Sequence, residues 1–253
     1  STDNTQDLIQ RFISENKINI RYIYKENGGK HTAINLGVKE AKGELFFIVD
    51  SDDYLTSDAV EWIKNNSQEI LTDNRFAGLS GLRIHPNGSK IGGGDDFGII
   101  DADALEIRNK YKVRGDLAEV YKTSILQQYP FPMIKNEKFC SEGLIWARIS
   151  KKYLLRYIYK GIYVCEYLND GLSYNRHKCR LNSPQYTMLL YSELIQYDTP
   201  LLTKIKNAIN FWTFSFQSNK SLLEKLKMIG FVNIIFYPIG YYLYIKYKNQ
   251  KNA

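Results

Sequence analysis

Asp50, Asp52 and Asp53 stand directly after the apolar run Leu45-Phe46-Phe47-Ile48-Val49. One or two carboxylates so placed suit a hard divalent cation when the phosphate oxygens of a ligand complete its shell. The same acids also suit a turn and the cap of a following helix, and on these residues alone both uses stay open. A lysine, Lys30, follows the turn residues Asn27-Gly28-Gly29, and a further acid, Glu142, precedes the apolar stretch Leu144-Ile145-Trp146.

Such side chains do chemistry together only if the backbone delivers them to one place. The run at 45–49 reads as a fully buried strand of the kind found in parallel sheets. Ligands of such sheets bind beyond the carboxyl ends of the strands. Upstream, Ile18, Ile20, Tyr22 and Tyr24 alternate as a short strand that ends in the turn at 27–29. The pattern predicts a helix from Lys30 to Gly43, with Ala33, Ile34, Gly37, Val38 and Ala41 on its buried face. The free N–H groups of a helix start attract anions, and Lys30 adds a positive charge there.

Downstream, Asp58-x-x-Glu61 has the form of a capping box, and Val60, Ile63 and either Ile70 or Leu71 are expected to face inward. Residues 77–84 read as a strand, 86–88 as a turn and 92–96 as a solvated loop. Asp116 begins a further strand, and Glu142 opens a helix whose apolar side holds Leu144, Ile145, Ile149 and Trp146.

These stretches resemble family 2 glycosyltransferases, the inverting GT-A enzymes. The resemblance is carried by Asn27-Gly-Gly-Lys-His-Thr-Ala-Ile-Asn35-Leu-Gly37, by Ala41-Lys-Gly-Glu44 and by Val49-Asp-Ser-Asp-Asp53. Arg114-Gly-Asp116, Tyr129-Pro-Phe-Pro132, Glu137 to Trp146 and Asp170-Gly-Leu-Ser173 support it, so that it covers residues 1–180. It implies an α/β, Rossmann-like, mostly parallel sheet flanked by helices. In the family the Asp-x-Asp element holds the metal–diphosphate of a nucleotide sugar. Asp50 and Asp52 are therefore expected to bind Mg²⁺ or Mn²⁺, with Asn27, Gly29 and Lys30 on the nucleotide side.

Inverting transfer also needs one base for the acceptor hydroxyl. The family often has Glu-Asp at the start of the helix, where this chain has Glu142-Gly143, so the role falls to Glu142. Simple helix capping is its structural alternative. Asp116 is expected either to orient acceptor hydroxyls or to sit in a surface turn, and Trp146 either to stack on a sugar or to pack in the core. The basic stretch Asn175-Arg-His-Lys178 is expected to close over the diphosphate as a loop. Ser1-Thr-Asp-Asn-Thr5 looks like the tail of the family's Asp-Asp-Gly-Ser-Thr-Asp element, which implies a fragment lacking the first βα unit and half the nucleotide pocket. Residues 1–16 are then a helix with Leu8, Ile9, Phe12 and Ile13 inward.

Composition divides the chain. The formal charge is +7 over 253 residues, and residues 220–253 carry six lysines against Glu224 alone. The lysines flank 228–245, a stretch of apolar and aromatic residues interrupted by Asn233, Pro238 and Gly240. Tyrosine and lysine favour the bilayer interface, so this stretch is expected at a membrane surface. Internal packing, a homodimer contact and a true span are the alternatives. Without arginines to clamp phosphates, no nucleic acid is expected. The three cysteines, Cys140, Cys165 and Cys179, read as reduced structural thiols.

The expected organisation is a catalytic domain at 1–182 and a helical region at 183–253, in the cytoplasm at the inner face of the cell membrane. The expected activity is transfer of a sugar from a nucleotide-diphosphate donor to a hydroxyl of a bacterial surface glycan or lipid-linked acceptor. Nucleotidyltransfer to sugar phosphates and an inactive membrane-bound partner subunit are the competing readings.

Overall fold

A computed structural model describes residues 3–165 and 176–249. The chain runs α1 (Thr5–Glu15), α2 (Lys30–Glu40), β1 (Leu45–Phe47), β2 (Tyr54–Leu55), α3 (Ala59–Thr72), β3 (Phe76–Ile84), β4 (Ile99–Ala102) and α4 (Glu106–Asn109). Then follow β5 (Leu117–Lys122), α5 (Thr123–Leu126), α6 (Gly143–Ser150) and β6 (Leu154–Val164). The C-terminal part holds α7 (Arg176–Leu181), α8 (Pro184–Leu194), α9 (Leu201–Ser215), α10 (Leu222–Ile229), a 3₁₀ turn (Phe231–Phe236) and α11 (Tyr237–Asn249). Asp170 to Asn175 of the sequence reading lie outside the described residues.

The strands form one mixed sheet in the order β1-β5-β3-β6-β2, with β4 also on β6. Among the described residues β3 and β6 are the parallel pair, and the other pairings are antiparallel. Alternation along the central strands packs both faces of the sheet. Leu117 and Tyr121 of β5 and Leu155 and Tyr157 of β6 face the side that holds α2, α6 and α8. Ala118 and Val120 of β5 and Ile162 and Tyr163 of β6 face the side covered by Ala59 and Ile63 of α3. Strand β3 is buried on both faces from Phe76 to Leu82, and the one hydroxyl in that stretch, Ser80, donates to the Gly81 carbonyl at 3.0 Å.

Several local expectations change. The 45–49 run is an edge strand, only three residues long and half-buried, and it pairs antiparallel with β5. Its apolar run came from packing against the core beside it, which periodicity does not separate from central-strand burial. Residues 18–24 form no strand, and Ile18 and Tyr24 stay exposed, because no neighbour among the described residues completes a ladder with them. Helix α1 likewise buries none of its residues, Leu8 and Phe12 included.

In α3 the buried positions are Ala59, Ile63, Ser67 and Ile70, while Val60 is exposed. Asp58 makes no capping bond there; it pairs with Lys160 and accepts from Thr56. In α2 the buried residues are His31, Thr32, Ile34 and Val38, and Ala33 faces out.

The C-terminal helices build a second core around Trp212, Phe211, Phe214 and Tyr244. Helix α8 joins the two, since Tyr186 and Leu190 belong to the sheet-side core and Met188 and Tyr191 to the helical one. Residues 176–181 are helical and not a loop. His177 stacks on Tyr247 at 4.2 Å between ring centroids, which ties this basic stretch to α11.

Candidate active site

Three chain segments meet beyond the end of β1. Helix α2 begins at Lys30 because Gly29 precedes it with φ of 94°, a conformation that disfavours any side chain. Gly29 also packs so closely that a Cβ there would stand 2.0 Å from the Lys138 carbonyl oxygen. This approach brings the start of α2 against the segment that leads into α6. Asn27 accepts the Gly29 N–H at 3.1 Å and shapes the turn. Farther along α2, Asn35 clasps the backbone of Phe131, donating to its carbonyl at 2.9 Å and accepting from its N–H at 2.8 Å. The glycines and asparagines of the motif thus position; the charged groups are left for chemistry.

The Lys30 ammonium lies 2.6 Å from Asp50 Oδ1 and 2.9 Å from Glu142 Oε1. One cation therefore links the first acid after β1 to the acid that opens α6. Burial opposes the charge on Lys30, but Glu142 and Asp50 outweigh it and its pKa is raised. Glu142 makes no side-chain cap to α6. Its carboxylate is turned across the cleft to Lys30, and the capping alternative does not describe it. Asp52 is exposed next to this cluster.

Two residues absent from the sequence reading complete the arrangement. Tyr163 of β6 accepts the Asp50 N–H at 2.9 Å and donates its hydroxyl proton to Asp53 Oδ2 at 2.7 Å. Asp53 N–H in turn donates to the Asp50 carbonyl at 3.2 Å. The Asp50–Asp53 turn is thereby closed on itself and pinned to the sheet. Arg83 of β3 lies over the Tyr163 ring, 4.2 Å from its centroid, and donates through Nε to the Leu117 carbonyl at 3.1 Å. Its Nη1 stands 3.8 Å from Asp50 and 3.7 Å from Asp53, at the limit of an ion pair.

Burial disfavours the Arg83 charge, but Tyr163, Glu119, Asp50 and Asp116 around it raise its pKa. Asp53 is shifted upward, first by burial and then by its neighbours Asp52 and Asp50, against the pull of Tyr163 and Arg83. No short motif announces Arg83 or Tyr163. The one hint is a cation and a hydroxyl near the ends of otherwise apolar strands.

Asp116 is exposed at the start of β5 and contributes to the negative surroundings of Arg83. Trp146 is placed differently from the acceptor-stacking expectation. Its ring stacks on Tyr121 at 4.3 Å and packs against the sheet-side core, so one face is already used. Burial raises the thiols of Cys140 and Cys165, to about 12 and about 11, which leaves them as inert packing groups.

Among the described residues no group of three or more His, Cys, Asp or Glu side chains could hold a metal ion. What the strand end offers is Asp50 and Asp52. That set fits a hard cation whose remaining ligands come from phosphate and water.

A mixed sheet flanked by helices is the GT-A fold. S. aureus TarS in complex with UDP-GlcNAc has this fold, with a TM-score of 0.58 at 15% identity over 98% of this chain and 77% of that one. Residues 1–349 of S. aureus TarS superpose equally, with a TM-score of 0.59 at 14% identity, 98% coverage of this chain and 77% of that one. Residues 1–109 match the profile of Glycosyl transferase family 2.

Among characterised sequences it is 38% identical over 96 residues to a chondroitin synthase of Pasteurella multocida, which is 37% of this chain and 10% of that one. It is 37% identical over 70 residues to the glycosyltransferase GlyG of Streptococcus pneumoniae, 27% of this chain and 23% of that one. The matched stretches are thus a small part of these relatives' length.

Proposed function

We propose that this chain carries the catalytic centre of a metal-dependent inverting glycosyltransferase, moving a sugar from a nucleotide-diphosphate donor to a hydroxyl of a bacterial surface glycan or lipid-linked acceptor. The observation that supports it is the shared contact of Lys30 with Asp50 and Glu142. In this reading Asp50 is the donor-side acid and Glu142 the acceptor-side acid of one cleft. That UDP-GlcNAc binds the similarly folded TarS supports a nucleotide-sugar donor here.

In this reading Asp50 and Asp52 hold Mg²⁺ or Mn²⁺, which when bound neutralises charge on the departing diphosphate. Asn27 and Gly29 set the start of α2 beside the nucleotide. Lys30, released from its carboxylate pair by an arriving anion, takes up a phosphate oxygen. Glu142 accepts the proton from the acceptor hydroxyl as that oxygen bonds to the anomeric carbon. The bond from that carbon to the diphosphate oxygen breaks on the opposite side, and configuration inverts. Asp116 orients the acceptor from the start of β5. One carboxylate serves as base, unlike a glycosidase, where two flank the bond.

The test is release of nucleoside diphosphate from a panel of nucleotide sugars, with and without Mn²⁺. Asp52→Asn should abolish release and weaken donor binding. Glu142→Gln should keep donor binding and lower kcat about 10²–10⁴-fold, the usual range for loss of a general base. Formation of pyrophosphate from a sugar phosphate and a nucleoside triphosphate would instead assign nucleotidyltransfer. Unchanged kcat in Glu142→Gln would remove that residue from the chemistry.

A further inference from the structure

The C-terminal helices bury one aromatic face and leave a second apolar face in solvent. Along α11, Gly240, Tyr244 and Tyr247 recur at helical spacing and turn toward α9, with Tyr244 near Phe216 and Tyr247 on His177. The outward face would ordinarily be polar. Here it carries Ile239 and Tyr242, and the preceding 3₁₀ turn exposes Phe231, Val232 and Ile235 at 59%, 80% and 64%. A monomer in water rarely shows so many large apolar side chains in succession.

The charges around them have one sign. Lys225 and Lys227 lie on α10 and Lys246 and Lys248 on the last turn of α11. The single acid of the unit, Glu224, is engaged by Ser221 in a capping box.

We propose that this face docks in the plane of an anionic lipid bilayer, with Phe231, Val232 and Ile235 entering the acyl boundary and the lysines meeting lipid phosphates. Charge decides the occupant. A second copy of the chain would set two lysine-bearing faces against each other, whereas an anionic bilayer attracts each nearby lysine. Shape decides the depth. No single described helix is long and apolar enough to cross a membrane, and the two helical arms, Leu222–Ile229 and Phe231–Asn249, meet at 115°. Together the arms have the length and composition of a broken span, but their tyrosines and flanking lysines favour the interface, and the bend lets both arms lie along it.

The test is co-sedimentation of the chain with phosphatidylcholine vesicles that contain or lack phosphatidylglycerol. Binding should require the anionic lipid and weaken with added salt. Lys246→Gln and Lys248→Gln should each weaken it about fivefold. The double variant Val232→Asp and Ile235→Asp should abolish it while the far-ultraviolet circular dichroism stays unchanged, since both side chains face solvent. No vesicle binding, equal binding to neutral and anionic vesicles, or self-association that the Asp variant dissolves would each overturn the proposal. None of these readouts uses donor turnover, so the outcome is independent of the glycosyl-transfer reading.

Discussion

Tyr163 shows how much of the acidic cluster depends on a residue that carries no charge. Its hydroxyl receives the Asp50 N–H and gives its proton to Asp53, which leaves Asp52 exposed beside a fixed turn. Removing that oxygen deletes a hydrogen bond to a carboxyl, worth about 1.5 kcal/mol. Tyr163→Phe should therefore lower stability by about that amount in urea titrations. It should also raise the Mn²⁺ concentration needed for half-maximal nucleoside diphosphate release, because the turn bearing Asp50 and Asp52 is less well held.

Glu119, whose charge acts on Arg83, is a second residue that the site depends on. Burial lifts its carboxyl to about 7 from the ordinary 4.5, against the opposing charges of Arg108 and Arg83, with Asp116 adding to the rise. A folded pKa above the unfolded one means that folding takes up a proton. The resulting stability is complete below about pH 4.5 and is lost as pH rises toward about 7. Glu119→Gln keeps the neutral form at every pH. Its melting temperature should stay level across that window where the parent's falls, and exceed the parent's above about pH 7, as thermal melts across the window would show.

Elements here are positioned by close backbone approach as much as by apolar burial. Gly29 against the Lys138 carbonyl brings α2 to α6, and Gly240 brings α11 to α9, where a Cβ would meet Trp212 Cβ at 2.4 Å. Trp212 also donates its indole N–H to the Asn233 carbonyl at 2.7 Å, so the 3₁₀ turn is tied to the same spot. Gly240→Val should cost about 1–3 kcal/mol by overpacking. The expected sign is a red shift of Trp212 emission at a lower denaturant concentration than in the parent, with the sheet unit still folded.

Helix periodicity was legible in the chain, but the exact buried stripe was not. Ala33 and Val60 were assigned inward from spacing and face solvent, because a helix's rotation is chosen by what packs against it. Asp58-x-x-Glu61 was legible as a capping box and does not form one, since Lys160 takes the aspartate, whereas Ser221 and Glu224 do form one.

For the whole molecule, the consequence of one chain having two cores is that its two proposed roles separate. The sheet-side core supports the cleft around Lys30, Asp50 and Glu142; the helical core presents the lysine-flanked apolar face. Helix α8 carries residues of both, and its start is capped by Glu137, which accepts from the N–H groups of Gln185 and Tyr186 at 2.9 Å each. Vesicle binding, if it acts as proposed, should then survive Asp52→Asn, and donor binding should survive Val232→Asp with Ile235→Asp. Measuring both properties on both variants checks that separation.

The order of the motifs was written in the sequence. The Asn-Gly-Gly-Lys turn, the Asp-Ser-Asp end of an apolar run and Glu142 at a helix start were enough to carry a family resemblance and the α/β class, since each depends on neighbours close in the chain. The lysine-rich, aromatic C-terminus was equally plain. Tertiary structure alone decided that 45–47 is an antiparallel edge strand, that Trp146 lies on Tyr121, and that Arg83 and Tyr163 stand behind the aspartates. Those contacts join residues far apart in sequence, and their energies come from which faces meet. Local spacing carries no record of that choice. Glu142 lies 112 positions after Lys30, yet the fold sets its carboxylate 2.9 Å from that ammonium.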